Sequence, residues 1–481
     1  MCETVPFIEE SGSETDGKES DNNSVFNGIA GRFMSFCERF AAPFRGETHK
    51  RKEPMIQYLK GLFQGNKGER NIERIAETVP DADEQALHHF ISDSEWNEAE
   101  VLDLIASEAD RHLGGTENSV LIIDESGFVK KGIKSAGVSR QWCGNAGKTE
   151  NCQVAVYAAL ACDGHTVLID EKLYLPESWV KDTKRCIEAG IPENGIIFKT
   201  KHELALEMIC KAKKGGVHFS WVGFDAFYGD NPSFLRILDD MGEVFIGDIH
   251  KDYKIWIENP KPVIPPRKSG RGKTPSVLKA QELPIRVDEF AKHQPPAAWR
   301  RVKVRDSTKG TIMADILHRR VWVWDGEEKN AREFHLVVRR EVKSPDTVKY
   351  SLSNAPADTP LKRLVFMQGE RYWVEYALRN GKQEAGMGDY QVRKWRGFHH
   401  HMALSMMAML FMLEERLLNI EKIPILSCKD VRILLSHFLP RRDTTLKEIL
   451  RQMEIRHKKR LSSVKSAYKR QENQAITVLD G

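Results

Sequence analysis

The residues of this chain best suited by type and position to do chemistry are three carboxylates far apart in sequence, Asp124, Asp225 and Glu384. Asp124 follows the run Ser119-Val-Leu-Ile-Ile, and Asp225 ends the run His218-Phe-Ser-Trp-Val-Gly-Phe. Both runs are short and apolar, as strands buried on both faces are. A carboxylate at the C-terminal end of such a strand occupies the usual ligand position of an α/β sheet. Glu384 lies in Lys382-Gln-Glu-Ala-Gly386, on or beside a helix. Three carboxylates brought together repel one another unless something neutralises them. Two divalent metal ions would do this, and would also activate an attacking oxygen and stabilise a departing one in an in-line phosphoryl transfer. All-oxygen ligation favours Mg²⁺, with Mn²⁺ able to substitute, over zinc. Taken one at a time, an Asp at a strand end is more often a turn or cap residue.

The elements that must bring these residues together are legible as changes of period. Residues 1–28 are expected to form a disordered acidic tail: up to residue 24 they hold seven acids against one base, with few large apolar residues to offset the entropy of ordering. Over 29–115 apolar residues recur every three to four positions, as in Ile72, Ile75 and Ala76 or Leu87, Phe90 and Ile91. This predicts a helical domain, with Ser92 or Asp93 capping the next helix. Its basic stretch His49-Lys50-Arg51-Lys52 suits either a solvated face or DNA contact. Residues 116–256 contain both apolar runs, alternating strands at 153–161 and 165–173 joined by Asp163-Gly164, and helices at 179–190 and 201–214. That order predicts an α/β domain with a mixed sheet. Eight prolines between 260 and 296 break the order and open a β-rich insertion over 257–365, with strands at 321–324, 334–338 and 349–352. The core resumes over 366–425 with the Glu384 helix and a Met-rich closing helix, and 426–481 is a basic helical tail.

With 481 residues, 41% hydrophobic and 30% charged, the chain is neither wholly disordered nor fibrous. The net charge of +4 averages over a gradient, because residues 441–470 alone hold eleven bases against three acids. This tail, which includes Arg456-His-Lys-Lys-Arg460, suits a solvated helix or an arm on a DNA backbone. The eight cysteines show no CxxC pair or zinc-type Cys/His spacing, and read as reduced thiols of a cytosolic protein. The longest apolar run, Met402 to Leu413, is too short to span a bilayer, and the N-terminus lacks the pattern of a secretory signal. Gly-Lys-Thr triplets at 147–149 and 272–274 imitate a phosphate-binding loop, but Trp142 and Arg267 stand where its first glycine belongs. His399-His400-His401 resemble a metal cluster, yet consecutive helical residues point about 100° apart and cannot share one ion. They suit packing or phosphate contacts. Trp322 and Trp324 share one face of a strand, either as core or as a platform for a flipped base.

The segments around the carboxylates form long ordered blocks. Ile123-Asp-Glu-Ser-Gly-Phe-Val-Lys-Lys-Gly132, Lys134-Ser-Ala-Gly-Val-Ser-Arg140 and Thr149-Glu-Asn-Cys-Gln-Val154 closely resemble the first catalytic block of bacterial insertion-sequence DDE transposases. The match is to the group numbered seven hundred and one, relatives of the insertion-sequence-four group. Leu173-Tyr-Leu-Pro-Glu-Ser-Trp179 and Phe224-Asp-Ala-Phe-Tyr-Gly229 look like later blocks, and Glu384-Ala-Gly, Tyr390-Gln-Val-Arg393 and Trp395-Arg-Gly397 like the last. The resemblance runs from about residue 30 to 420. It implies an RNase H-like mixed-sheet core interrupted by a β-rich insertion, and an N-terminal all-helical domain that helps read transposon ends. It also implies Asp124, Asp225 and Glu384 as the DDE triad holding two Mg²⁺ ions. The implied reaction is cleavage at terminal inverted repeats and joining of the 3′-hydroxyl ends to target DNA. Lys130, Lys131, Arg379, Arg393 and Lys394 then become DNA contacts. The partners are double-stranded DNA, both ends and target, and a second copy as a homodimer on DNA, in the bacterial cytoplasm with the nucleoid and away from membranes. The broader group spaces Tyr, two residues, Arg, three residues, Glu, six residues, Lys. Tyr376 and Arg379 meet the first interval, but four residues separate Arg379 from Glu384, and Gln391 stands seven after it. Two alternatives remain: a transposase-derived DNA-binding protein that no longer cuts, and a metal-dependent endonuclease without strand transfer.

Overall fold

The computed structural model describes residues 28–46, 51–267, 275–307 and 310–479. The acidic tail, His49 and Lys50, and the stretch from Lys268 to the second Gly-Lys-Thr triplet lie outside the described residues. The N-terminal part is helical as expected: α1 (Ile29–Arg39), α2 (Lys52–Gln64), α3 (Ile72–Thr78), α4 (Glu84–Ser92) and α5 (Glu98–Leu113). Asn97, rather than Ser92 or Asp93, caps α5 by accepting the amide of Ala99. Asp93 instead follows the last residue of α4.

The core then runs β1 (Val120–Val129), β2 (Ser139–Cys143), β3 (Lys148–Cys162), β4 (His165–Leu173), α6 (Glu177–Val180), α7 (Thr183–Glu188), α8 (Lys201–Lys214), β5 (Trp221–Phe224), α9 (Ala226–Gly229), α10 (Pro232–Asp240) and β6 (Phe245–Ile249). β3 pairs antiparallel with both β4 and β1, whereas β1, β5 and β6 are parallel neighbours. The order β4-β3-β1-β5-β6 is the RNase H-like arrangement, with β2 added at the far end of β3. Asp163 and Gly164 make the tight β3–β4 turn with φ of 46° and 85°, the left-handed pair that suits the twist of a two-residue hairpin. The expected helix at 179–190 is two short pieces, split where Asp182 caps α7.

The insertion does not stand apart from this sheet. After the small β7 (Lys254–Ile255), β8 (Ile285–Arg286) and α11 (Val287–Lys292) come β9 (Trp299–Ser307), β10 (Gly310–Val323), β11 (Arg332–Glu341) and β12 (Val348–Ser353). β12 pairs antiparallel with β6, so the four long inserted strands extend the core into one sheet of ten strands. The chain closes with α12 (Leu361–Glu370), α13 (Tyr372–Glu384), α14 (Trp395–Leu418), α15 (Cys428–Phe438) and α16 (Leu446–Leu479). α14 is buried all round from Gly397 to Leu413, against β4, α2, α4, α5 and α15. A helix apolar on every face belongs in a core, and each such Leu or Met contributes about 1.5–3 kcal/mol. None of the described helices is long and apolar enough to cross a membrane.

Candidate active site

Strand register decides which carboxylates meet. Ile123 pairs with Phe224 and Phe224 with Gly247, so Asp124, Asp225 and Asp248 come next in line on three adjacent parallel strands. β5 ends before Asp225 as expected, but β1 continues to Val129, so Asp124 sits within a strand rather than at its end. Asp225 caps α9 by accepting the amide of Phe227 at 3.0 Å. The turn needs Gly229: a Cβ there would lie 1.9 Å from the Asp248 carbonyl oxygen. Asp124 accepts the amide of Glu125 at 2.7 Å. Burial, reinforced by the neighbouring Asp225 charge, raises the Asp124 carboxyl above its ordinary range, and burial likewise raises Asp225.

The side chains that face this pair from across the sheet come from α13 and the residue before it. Arg371 pairs with Asp248 (Nε to Oδ2, 2.9 Å) and with Glu375 one turn along. Its guanidinium pKa is raised: burial alone would lower it, but Asp248, Glu375, Asp124 and Asp225 outweigh that, in this order. Glu375 in turn acts on Asp124. Lys382, lowered by burial, lies over Phe128 at 5.2 Å and feels the charge of Asp124.

Glu384 is elsewhere. On a helix, nine residues past Glu375 means about 13.5 Å further along and half a turn round. There its Oε2 accepts Nε of Arg432 from α15 at 2.7 Å, and the residue is 9% exposed. The structure therefore brings Asp124 and Asp225 together with Glu375, and does not bring Glu384 to them. The signal was present in the spacing: Arg371, three residues, Glu375, six residues, Lys382 meets the Arg–Glu–Lys intervals, with Gln368 in place of Tyr. Lys382 lies seven positions after Glu375, about 20° short of two full turns, so both share a face.

The donor set suits divalent cations. The carboxylates around the pair are oxygen donors with one buried guanidinium between them, a combination that favours Mg²⁺ or Mn²⁺. The fully buried Tyr228 hydroxyl has no hydrogen-bond partner among the described residues, and the charges acting on it are those of Glu125, Asp124 and Asp225. A buried polar group left unpaired beside carboxylates fits a place where water or an ion completes the shell. Among the described residues, the ligand atoms that lie within metal-binding distance of one another belong to a different group, Glu108, His112 and Glu414. Its carboxylates are already matched by Arg111 and Arg39.

The other nominated residues are scattered. Lys131 and Arg393 are exposed, and Lys394 lies 3.6 Å from Asp93. Arg379 donates to the Tyr372 hydroxyl at 3.0 Å. Lys130 is half-buried, its Nζ 3.4 Å from the centre of the Tyr390 ring, and burial lowers its pKa to about 7. Trp322 and Trp324 are half-buried; Trp324 donates to the Glu328 carbonyl and packs edge-on against Trp256. The three histidines diverge as helical geometry requires. His399 meets Glu171, His400 stacks on Trp96 and bonds the carbonyls of Ile91 and Trp96, and His401 bonds the Tyr58 hydroxyl and the Gly386 carbonyl. In the tail, α16 places Arg456 on Glu77 and Lys459 on Glu73 and Glu84, so part of the basic charge is matched within the protein.

The sequence profile of the DDE superfamily endonucleases matches residues 39–311, more than half of the chain, including Asp124 and Asp225 but ending before α13. The chain is also similar to a probable transposase for insertion sequence element IS701 from Microchaete diplosiphon. The two are 27% identical over 324 residues, which is 67% of this chain and 72% of that protein.

Proposed function

This chain belongs to the DDE superfamily of endonucleases, and from that membership we propose that it is a transposase acting on the terminal inverted repeats of a mobile element. It cleaves the DNA at those ends and joins the freed 3′-hydroxyls to target DNA. The observation that carries this reading is the strand register that sets Asp124 beside Asp225, with Glu375 acting on Asp124 from α13. Asp124, Asp225 and Glu375 are the triad, and the role first expected of Glu384 passes to Glu375. Two Mg²⁺ ions, when bound by these carboxylates, would supply activation of the attacking oxygen and stabilisation of the leaving one.

The chain's own groups do the rest. Asp124 and Asp225 accept the backbone amides of Glu125 and Phe227, which fixes their direction, while the ion pairs of nearby Arg371 go to Asp248 and Glu375. Arg371 holds Glu375. Lys382, on the same helix face as Glu375, lies where it can meet a DNA phosphate. The exposed bases Lys131 and Arg393 extend the DNA surface, and α16 adds Lys465 and Lys469, both exposed. Two ends must be cut in one complex, so the working form is a homodimer on DNA, in the cytoplasm where the nucleoid is accessible.

The test is incubation with an end-containing duplex, a supercoiled target and Mg²⁺. Joined product is expected. Cut product alone would reduce the activity to that of an endonuclease, and bound but uncut DNA would leave a binding protein. Asp225→Asn, which keeps the helix cap, should bind ends normally and cut none of them; normal cutting would refute the site.

A further inference from the structure

Asp248 stands in line with the two metal-facing carboxylates but is spoken for by other groups. Its Oδ1 accepts the Ser351 hydroxyl from β12 at 2.6 Å, and the oxygen of that hydroxyl accepts Nε2 of Gln368 from α12 at 2.7 Å. Its Oδ2 takes Arg371, whose other arm reaches Glu375. A single chain of hydrogen bonds and ion pairs therefore runs from α12 through β12 and β6 to Arg371 and on to Glu375. Ser351 is fully buried and Gln368 nearly so, which leaves little freedom at the anchored end. At the other end, the Glu375 side chain is 49% exposed and has Arg371 as its ion-pair partner.

We propose that Asp248 is a positioning residue for the metal-binding carboxylates: it keeps the Arg371 guanidinium off the Asp124–Asp225 pair and, through Arg371, orients Glu375. The proposal rests on the assignment of Glu375 as the third carboxylate. The physical reason is competition for one buried cation. Arg371 is acted on by Asp248 first, then Glu375, then Asp124 and Asp225. With the Asp248 charge removed, the strongest remaining pull draws the guanidinium toward the carboxylates that a divalent ion requires. Groups one layer behind metal ligands commonly change metal affinity by about 10–100-fold when altered. Here the anchoring layer includes Ser351 on the last inserted strand, so the insertion helps to set the geometry of the site.

The experiment is Mn²⁺ titration of the full-length protein, with free ion read by electron paramagnetic resonance. Asp248→Asn keeps the size of the side chain and an oxygen for the Ser351 hydroxyl. It should weaken Mn²⁺ binding about tenfold and raise by the same factor the Mn²⁺ needed for half-maximal end cleavage. In an Arg371→Gln background it should add nothing further, because the two residues act in series. Unchanged Mn²⁺ affinity, or the same extra loss in the Arg371→Gln background, overturns the proposal. Should Asp248→Asn fail to fold, Ser351→Ala carries the same test: weaker Mn²⁺ binding supports the proposal and wild-type affinity overturns it. Glu375→Gln forms a separate arm. Wild-type Mn²⁺ binding by that variant would overturn the triad and with it the orienting role, whereas loss there with none in Asp248→Asn would overturn the Asp248 role alone.

Discussion

At the N-terminal end of α13, Glu375 is half-exposed, paired with an arginine that also answers Asp248, and close enough to Asp124 to act on it. At the C-terminal end of the same helix, Glu384 is nearly buried against Arg432, while the Gln383 carbonyl accepts a guanidinium hydrogen of Arg70 at 2.7 Å. Arg70 is itself buried and comes from the loop between α2 and α3, so this end of the helix is fastened to the N-terminal helical domain. One helix thus offers a carboxylate to solvent at one end and spends another on holding two parts of the protein together. What separates these fates is half a helical turn and about 13.5 Å. Residue type and neighbourhood in the chain do not separate them.

Exchanging the two glutamates in turn breaks this comparison most directly. Glu375→Gln should lower Mg²⁺-dependent end cleavage by about a thousandfold or more, the scale seen when one member of a catalytic set is removed, with little change in the unfolding midpoint. Glu384→Gln should leave the cleavage rate of folded protein near wild type; the reverse pattern in a single-turnover assay would restore Glu384 to the site. The next effect is on stability. Removing the Glu384 charge strands a largely buried Arg432, which costs about 3 kcal/mol, and denaturant titration should show it. Changing both partners together, with Arg432→Met, should recover a good part of that loss, since a buried pair is often replaceable by apolar packing. No recovery would mean that the pair does more than balance charge.

A smaller effect concerns a cation in neither arrangement. Lys130 has its pKa lowered from 10.5 to about 7 by burial, without a matching carboxylate among the groups that shift it. Between those values the unfolded chain holds a proton that the folded chain has released, so stability rises with pH through that window and the full cost is borne below it. The 3.4 Å approach to the Tyr390 ring offsets part of that cost. Lys130→Met should therefore raise the thermal midpoint at about pH 6 by more than at about pH 10. Equal shifts at the two pH values would show that the ammonium is already well accommodated.

Much of this was open to reading from the chain itself. The apolar runs before Asp124 and Asp225, the Asp163-Gly164 turn and the helix at 201–214 were legible because each is a local pattern with one dominant physical cause. The continuity of the inserted strands with the core was not, since pairing of β12 with β6 joins segments about a hundred residues apart and leaves no trace in either one's periodicity. The tryptophans and histidines were readable only as alternatives. Whether such a side chain is core or contact depends on neighbours from distant segments, as the Trp96 ring on His400 and the Tyr58 hydroxyl on His401 illustrate.

For the candidate site the division is sharper. The amino-acid order alone revealed two strand-borne aspartates and a helix bearing Glu, Arg and Lys after the insertion, and raised the expectation of metal-assisted phosphoryl transfer. That Asp248 completes the row, that Arg371 ties it to Glu375, and that Glu384 turns away to Arg432 emerges from the packed fold. Burial and strand alternation are properties of a segment and show in its composition. The direction in which a helical carboxylate points relative to a sheet depends on how the helix is rotated when it docks, and that is set by the surfaces it packs against.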